Sequence, residues 1–264
     1  MRFTSTCELA AHKSNQEMPE IPAYRDLYNL GCTFKQGDVI MIVGRPGTQK
    51  SGFTLHTVLS WDLPTLYLSA DSADTTLDRV ERFAGNNEIA LEGGETEQGA
   101  SIYFYSSVLF YHGDGFTPEL INDLTAKYKE HFHTLPKVLV IDNLMDAKGA
   151  TTDQVTQQEF MRTIRTFSQN YAWTSIVCHH CTDKGTTADG FPSPLYEIKN
   201  DVIHNTDIVL SLGIENTHDQ NNTSDVRIAI IRQRTGQCDP TAKTFINLKC
   251  DHSRGRFLSS NILD

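Results

Sequence analysis

Hydrophobic positions along the chain fall into short continuous runs, separated by stretches in which they recur at helical spacing. Asp38–Val43 (DVIMIV) is apolar and rich in β-branched residues, the pattern of a strand covered on both faces. Similar runs at Thr65–Ala70, Ile102–Ser106, Val138–Ile141, Thr174–Cys178, Ile208–Leu212 and Val226–Ile231 predict further strands, and Lys243–Leu248 predicts a last one. Phe160, Ile164, Phe167 and Tyr171 recur at three- and four-residue steps and predict a helix over Gln154–Tyr171. Lys50–Trp61 and Pro118–Phe132 also read as helices. Strands alternating with helices predict an α/β fold, a mostly parallel twisted sheet with helices on both faces. The final strands follow one another closely, which predicts an antiparallel β edge near the C-terminus. Gly93–Gly99 and Asn216–Ser224 are polar and loop-like. Residues 1–27 are polar and mixed, with Pro19 and Pro22 near their end, and read as a tail, linker or short helix ahead of one domain over 28–264.

Composition narrows the class. The chain has 264 residues, 39% hydrophobic and 21% charged, enough for one sizeable core and too apolar for wholesale disorder. No run approaches the roughly 18 apolar residues that span a bilayer. The first residues lack the charged start and apolar stretch of a secretory signal. Six cysteines in a chain this long do not form a disulfide scaffold, so a cytoplasmic, reduced protein is expected. The net charge of −10 excludes a protein that coats nucleic acid with its whole surface. Any such contact must come from a local loop or a ring-shaped assembly.

The strongest chemical signal is Gly44-Arg45-Pro46-Gly47-Thr48-Gln49-Lys50-Ser51-Gly52. It follows a buried strand and opens a helix, the context of a phosphate-binding loop. Backbone N–H groups of such a loop point at phosphate oxygens. Lys50 would place a positive charge near the β- and γ-phosphates of ATP, and Ser51 would offer its hydroxyl to Mg²⁺. The pattern asks for glycine where Gln49 stands. A second signature is Val138–Asp142, an apolar strand ending in a carboxylate that can hold Mg²⁺. The plainer alternatives are a strand–turn–helix with a surface lysine, and an aspartate capping a turn. Cys178-His179-His180-Cys181 has zinc-ligand chemistry, but neighbours on a strand point to opposite faces, which favours core cysteines beside a polar strand end.

The ordered set of segments resembles the motor domain of DnaB-like replicative helicases, which are RecA-type ATPases, over about residues 28–258. The matching segments are Leu30-Gly31, Phe34–Asp38, the phosphate loop, Leu68–Ser72 followed by a helix carrying Arg79 and Arg82, Val140–Leu144, Val177–His180 and Ile231–Gly236. The resemblance implies that Asp71 stands where relatives carry the glutamate that polarises the attacking water. It implies that His179 stands where a polar sensor, often glutamine, contacts the γ-phosphate. Arg232 and Arg234 match the basic pair that reaches into the neighbouring subunit's nucleotide. Gln49 for Gly, Asp71 for Glu and His179 for Gln are departures. The resemblance further implies a hexameric ring, single-stranded DNA held by channel loops in which Lys148, Lys184 and Lys199 are the basic residues, and a primase or loader as partner. No counterpart of the N-terminal primase-recruiting domain of cellular members is expected, so a stand-alone, phage-like motor is implied. A recombination or helicase-loading ATPase that does not unwind, and a scaffold with a degenerate loop, remain alternatives.

Overall fold

The computed structural model describes residues 17–85, 92–96, 99–148, 153–181, 190–215 and 222–260, with the side chains of 199–201 left aside. Eleven strands form one sheet: β1 (Val39–Gly44), β2 (Thr65–Ser69), β3 (Glu92–Glu95), β4 (Ser101–Tyr105), β5 (Val108–His112), β6 (Val138–Asp142), β7 (Thr174–His180), β8 (Ile208–Glu215), β9 (Thr223–Gln233), β10 (Ile246–Asp251) and β11 (Arg256–Ser259). Their spatial order is β11-β10-β9-β8-β1-β7-β6-β2-β5-β4-β3. The six from β8 to β5 run parallel. Antiparallel strands flank them on both sides, β9 to β11 on one and β4 and β3 on the other.

The central strands read as unbroken apolar runs because both faces are covered. One face packs on α4 (Pro118–Phe132) and α5 (Gln154–Tyr171) through Ile121, Leu124, Tyr128, Phe160, Met161 and Ile164. The other packs on α2 (Lys50–Trp61) and α3 (Ala73–Ala84) through Phe53, Leu55, Val58, Trp61 and Val80. Local sequence sets the helix ends. Ser72, Thr117 and Asp153 cap α3, α4 and α5 by accepting backbone N–H bonds, and Pro118 sits in the first turn of α4 where its missing N–H costs nothing. Gly85 closes α3 at φ 71°.

Residues 21–27 belong to the packed unit, ahead of the expected boundary at residue 28. Ile21, Tyr24 and Leu27 are buried, the last two by a 3₁₀ turn (Pro22–Tyr24) leading into α1 (Arg25–Asn29). Tyr24 stacks on Phe53 with ring centroids 4.9 Å apart, and its hydroxyl lies 2.9 Å from Thr57 Oγ1. Residues 1–16 lie outside the described residues, as do 216–221 of the expected second loop. In the first expected loop, Glu92–Glu95 pairs as edge strand β3. The last predicted strand starts three residues late. Asp239 accepts bonds from the amides of Thr241 and Thr244 and holds that stretch in a turn.

Candidate active site

The phosphate loop leaves the C-terminal end of β1 at the centre of the sheet, between β7 and β8. Gly47 takes φ 80°, which glycine adopts without strain. Gly44 is required by space: a Cβ there would stand 2.8 Å from the Leu212 carbonyl oxygen and would also strike the Thr48 side chain. Thr48 Oγ1 donates to the Arg45 carbonyl at 2.9 Å and ties the loop across its mouth. Lys50 points inward. It is 7% exposed, and Nζ donates to the carbonyls of Gly44 (3.1 Å) and Arg45 (3.0 Å). Burial lowers its pKa. Gln49 takes φ 64°, the left-handed conformation that suits the glycine of the pattern. Its side chain folds back along the first turn of α2, with Oε1 2.9 Å from where a Cβ on Gly52 would stand. Pro46 and Gly47 are exposed at the loop tip, and the Arg45 guanidinium lies 3.9 Å from the buried Glu197 carboxylate.

Asp142, at the end of β6, meets this loop. Ser51 Oγ donates to Oδ1 at 3.1 Å, and Tyr67 from β2 donates its hydroxyl to Oδ2 at 2.9 Å. Burial raises the carboxyl pKa, while both hydrogen bonds oppose the rise. The peptide between Asp142 and Asn143 is cis. Asp71 lies two residues beyond β2, where its carboxylate pairs with Arg79 of α3 at 3.1 Å. Its carbonyl lies 3.0 Å from His112 Nδ1.

The sequence profile of the family described as an AAA domain matches residues 4–186. The chain belongs to the AAA domain family. Among curated proteins, the AAA domain resembles the Gene 65 proteins of two mycobacteriophages. It is 24% identical to that of phage L5 over 242 residues, 88% of this chain and 89% of the relative. It is 25% identical to that of phage D29 over 223 residues, 80% of this chain and 94% of the relative. Among solved structures it superposes on a DnaB-like replicative helicase, described with its interactions with primase, at a TM-score of 0.69. Identity there is 13%, covering 98% of this chain and 68% of that one. A second solved structure, described as an ATPase domain, gives 0.67 at 14% identity, covering 98% and 99%. A KaiC-like protein of the archaeon Pyrococcus horikoshii gives 0.59 at 11%, covering 92% and 97%. The fold is thus that of a RecA-like, DnaB-type ATPase domain.

Within the AAA domain, Lys50, Ser51 and Asp142 come together as the motif spacing implies. His179 does not join them. Along β7, Ile176 and Cys178 pack with Phe53 of α2, whereas Val177 packs in the core of the opposite face. Alternation therefore turns His179, fully buried, away from the phosphate loop and turns His180 towards it. His180 Nε2 lies 3.3 Å from Asn143 Nδ2, one residue beyond Asp142. Arg232 and Arg234 lie at the far end of the sheet. Arg234 pairs with Asp207 at 3.3 Å, and the Asp207 carboxylate also accepts the amide of Val39 at 2.8 Å and pairs with Arg165. The six residues of β1 separate that end from the loop by about 17 Å. Lys148 is exposed beyond β6 at the phosphate end, while Lys184 and the Lys199 side chain lie outside the described residues. A cavity of about 970 Å³ lies apart from these groups, between the β3–β4 edge and α4. Sequence reasoning missed Tyr67, His112 and Glu197, each an ordinary core or loop residue until register places it, and named His180 only as part of the segment in which His179 was given the sensor role.

Proposed function

We propose that this AAA domain is an ATP-driven motor on DNA of the DnaB-like helicase type, hydrolysing ATP with Mg²⁺ at interfaces between copies of the chain in a hexameric ring. The observation that carries the reading is the 3.1 Å contact of Ser51 with Asp142 beside an inward-facing Lys50. A hydroxyl and a carboxylate oxygen at that separation fit the hard-oxygen preference of Mg²⁺. When bound, that ion supplies charge neutralisation across the β- and γ-phosphates. The chain's own groups do the rest. Lys50 exchanges its two carbonyl partners for phosphate oxygens, and loop amides donate to the same anion. Asp71 orients water for attack, and His180 takes the sensor role that the motif match assigned to His179. Arg232 and Arg234 are too far from their own loop to serve it. In a ring they reach a neighbour's phosphate, where an arginine finger is worth roughly 10³–10⁵ in rate. Lys148, Lys184 and Lys199, which follow β6 and β7 in the sequence, are the basic residues assigned to single-stranded DNA. A primase or loader is the expected partner, in line with the helicase neighbour described with primase.

The test is ATP hydrolysis with and without single-stranded DNA. Wild type should turn over and be stimulated by DNA, and Lys50→Ala should lose turnover. Mixing Arg234→Ala with Lys50→Ala chains should restore part of the activity. Calorimetry showing no ATP binding up to millimolar concentration overturns the reading. DNA-stimulated hydrolysis without strand separation moves it to a recombination or loading ATPase.

A further inference from the structure

Asp71 stands off the end of a strand, yet three separate elements hold it. Its amide donates to Ser69 Oγ of β2 at 3.1 Å, its carbonyl meets His112 Nδ1 of β5 at 3.0 Å, and its carboxylate meets Arg79 Nη1 of α3 at 3.1 Å. Ser69 and His112 are register partners in the parallel β2–β5 pair and both are buried. The backbone of Asp71 is therefore keyed to the sheet, while its side chain, 45% exposed, faces solvent. A carbonyl can only accept, so His112 must carry its proton on Nδ1. Burial favours the neutral ring, and Phe110 and Tyr103 flank it. The resemblance implies a glutamate at this position. Aspartate is one methylene shorter, about 1.5 Å of reach, and misplacement by about 1 Å can cost roughly a hundredfold in rate. A short carboxylate gains most from a backbone that cannot drift.

We propose that His112 and Arg79 are positioning residues that frame Asp71 for its attack-orienting role, His112 by fixing the carbonyl and Arg79 by aiming the carboxylate. The inference rests on the proposed role of Asp71. His112→Phe keeps a ring between Phe110 and Tyr103 and removes the donor. His112→Asn puts an amide N–H near the place of Nδ1. Arg79→Met removes the cation and keeps much of the stem. Full-length variants are compared by nucleotide binding, hydrolysis rate and thermal midpoint. His112→Phe and Arg79→Met should lower kcat roughly ten- to a hundredfold, with nucleotide Kd within about twofold, and His112→Asn should recover most of the loss. In an Asp71→Asn background, His112→Phe should add nothing, because a positioning residue acts only through what it positions. Should His112→Phe fail to fold, Arg79→Met carries the same comparison.

Unchanged kcat in His112→Phe and Arg79→Met, or a further drop in the Asp71→Asn background, overturns the frame. So does loss of kcat and nucleotide affinity in parallel. If Asp71→Asn itself hydrolyses ATP normally, the assigned role of Asp71 fails and the frame falls with it. If Asp71→Asn is inactive and the framing variants are not impaired, only the frame fails.

Discussion

His56 gives the clearest quantitative expectation. It lies on α2 among Tyr24, Phe83 and Phe257, is 6% exposed, and accepts the Phe257 amide on Nδ1 at 3.3 Å. Burial first, and the Arg256 charge second, hold its pKa at about 4 against an ordinary 6.5. The unfolded chain therefore takes up this proton at higher pH than the folded one. Stability linked to His56 is fully present above about pH 6.5 and is lost as pH falls towards 4. A difference of 2.5 units at 1.36 kcal/mol each is about 3 kcal/mol over the window, or about 2 kcal/mol by pH 5. His56→Asn keeps an acceptor near the place of Nδ1 for the Phe257 amide and cannot ionise. Urea unfolding of both proteins at pH 7 and pH 5 should show wild type losing about 2 kcal/mol more than the variant. Carboxylates and other histidines titrate equally in both and cancel in the comparison. Parallel losses would refute the argument and show that the imidazole charges without penalty in the folded protein.

Two further substitutions probe the phosphate loop. Gly44→Ala forces a methyl against the Leu212 carbonyl and Thr48, and should lower the thermal midpoint and abolish nucleotide binding, as read by calorimetry. Gln49→Gly removes a side chain from a residue at φ 64°, relieving strain of about 1 kcal/mol. The thermal midpoint should hold or rise, with nucleotide affinity unchanged within about threefold. A large gain in affinity would mean that Gln49 obstructs the loop.

The phosphate loop, Asp142 and the long helices were legible because their signals are local: spacing, a strand before, a cap or glycine after. What needed register was not. Whether His179 or His180 faces the loop depends on which face β7 presents at its last two residues, and a one-residue slip exchanges them. The β4–β5 hairpin was hidden because it turns through Ser106 and Ser107, with Ser106 at φ 51° and no Gly or Asn to mark it. β3 reads Glu-Gly-Gly-Glu and has no hydrophobic pattern; its pairing with β4 makes it a strand. The turn from Pro22 to Asn29 is too short to show a period, so its buried side chains passed for part of a tail. The distant location of Arg234 follows from β9 running antiparallel to β8, a fact about topology that no stretch of residues carries alone.

The two carbonyls that hold Lys50 have a consequence of their own. The ammonium already sits at the floor of its pocket with two of its three hydrogens engaged, so on the proposed reading an arriving phosphate finds the cation in place and trades one set of oxygens for another. Capture then needs no folding of the loop, and release leaves no stranded charge behind. On the proposed motor reading, a subunit passing from loaded to spent and back would cycle between two satisfied arrangements.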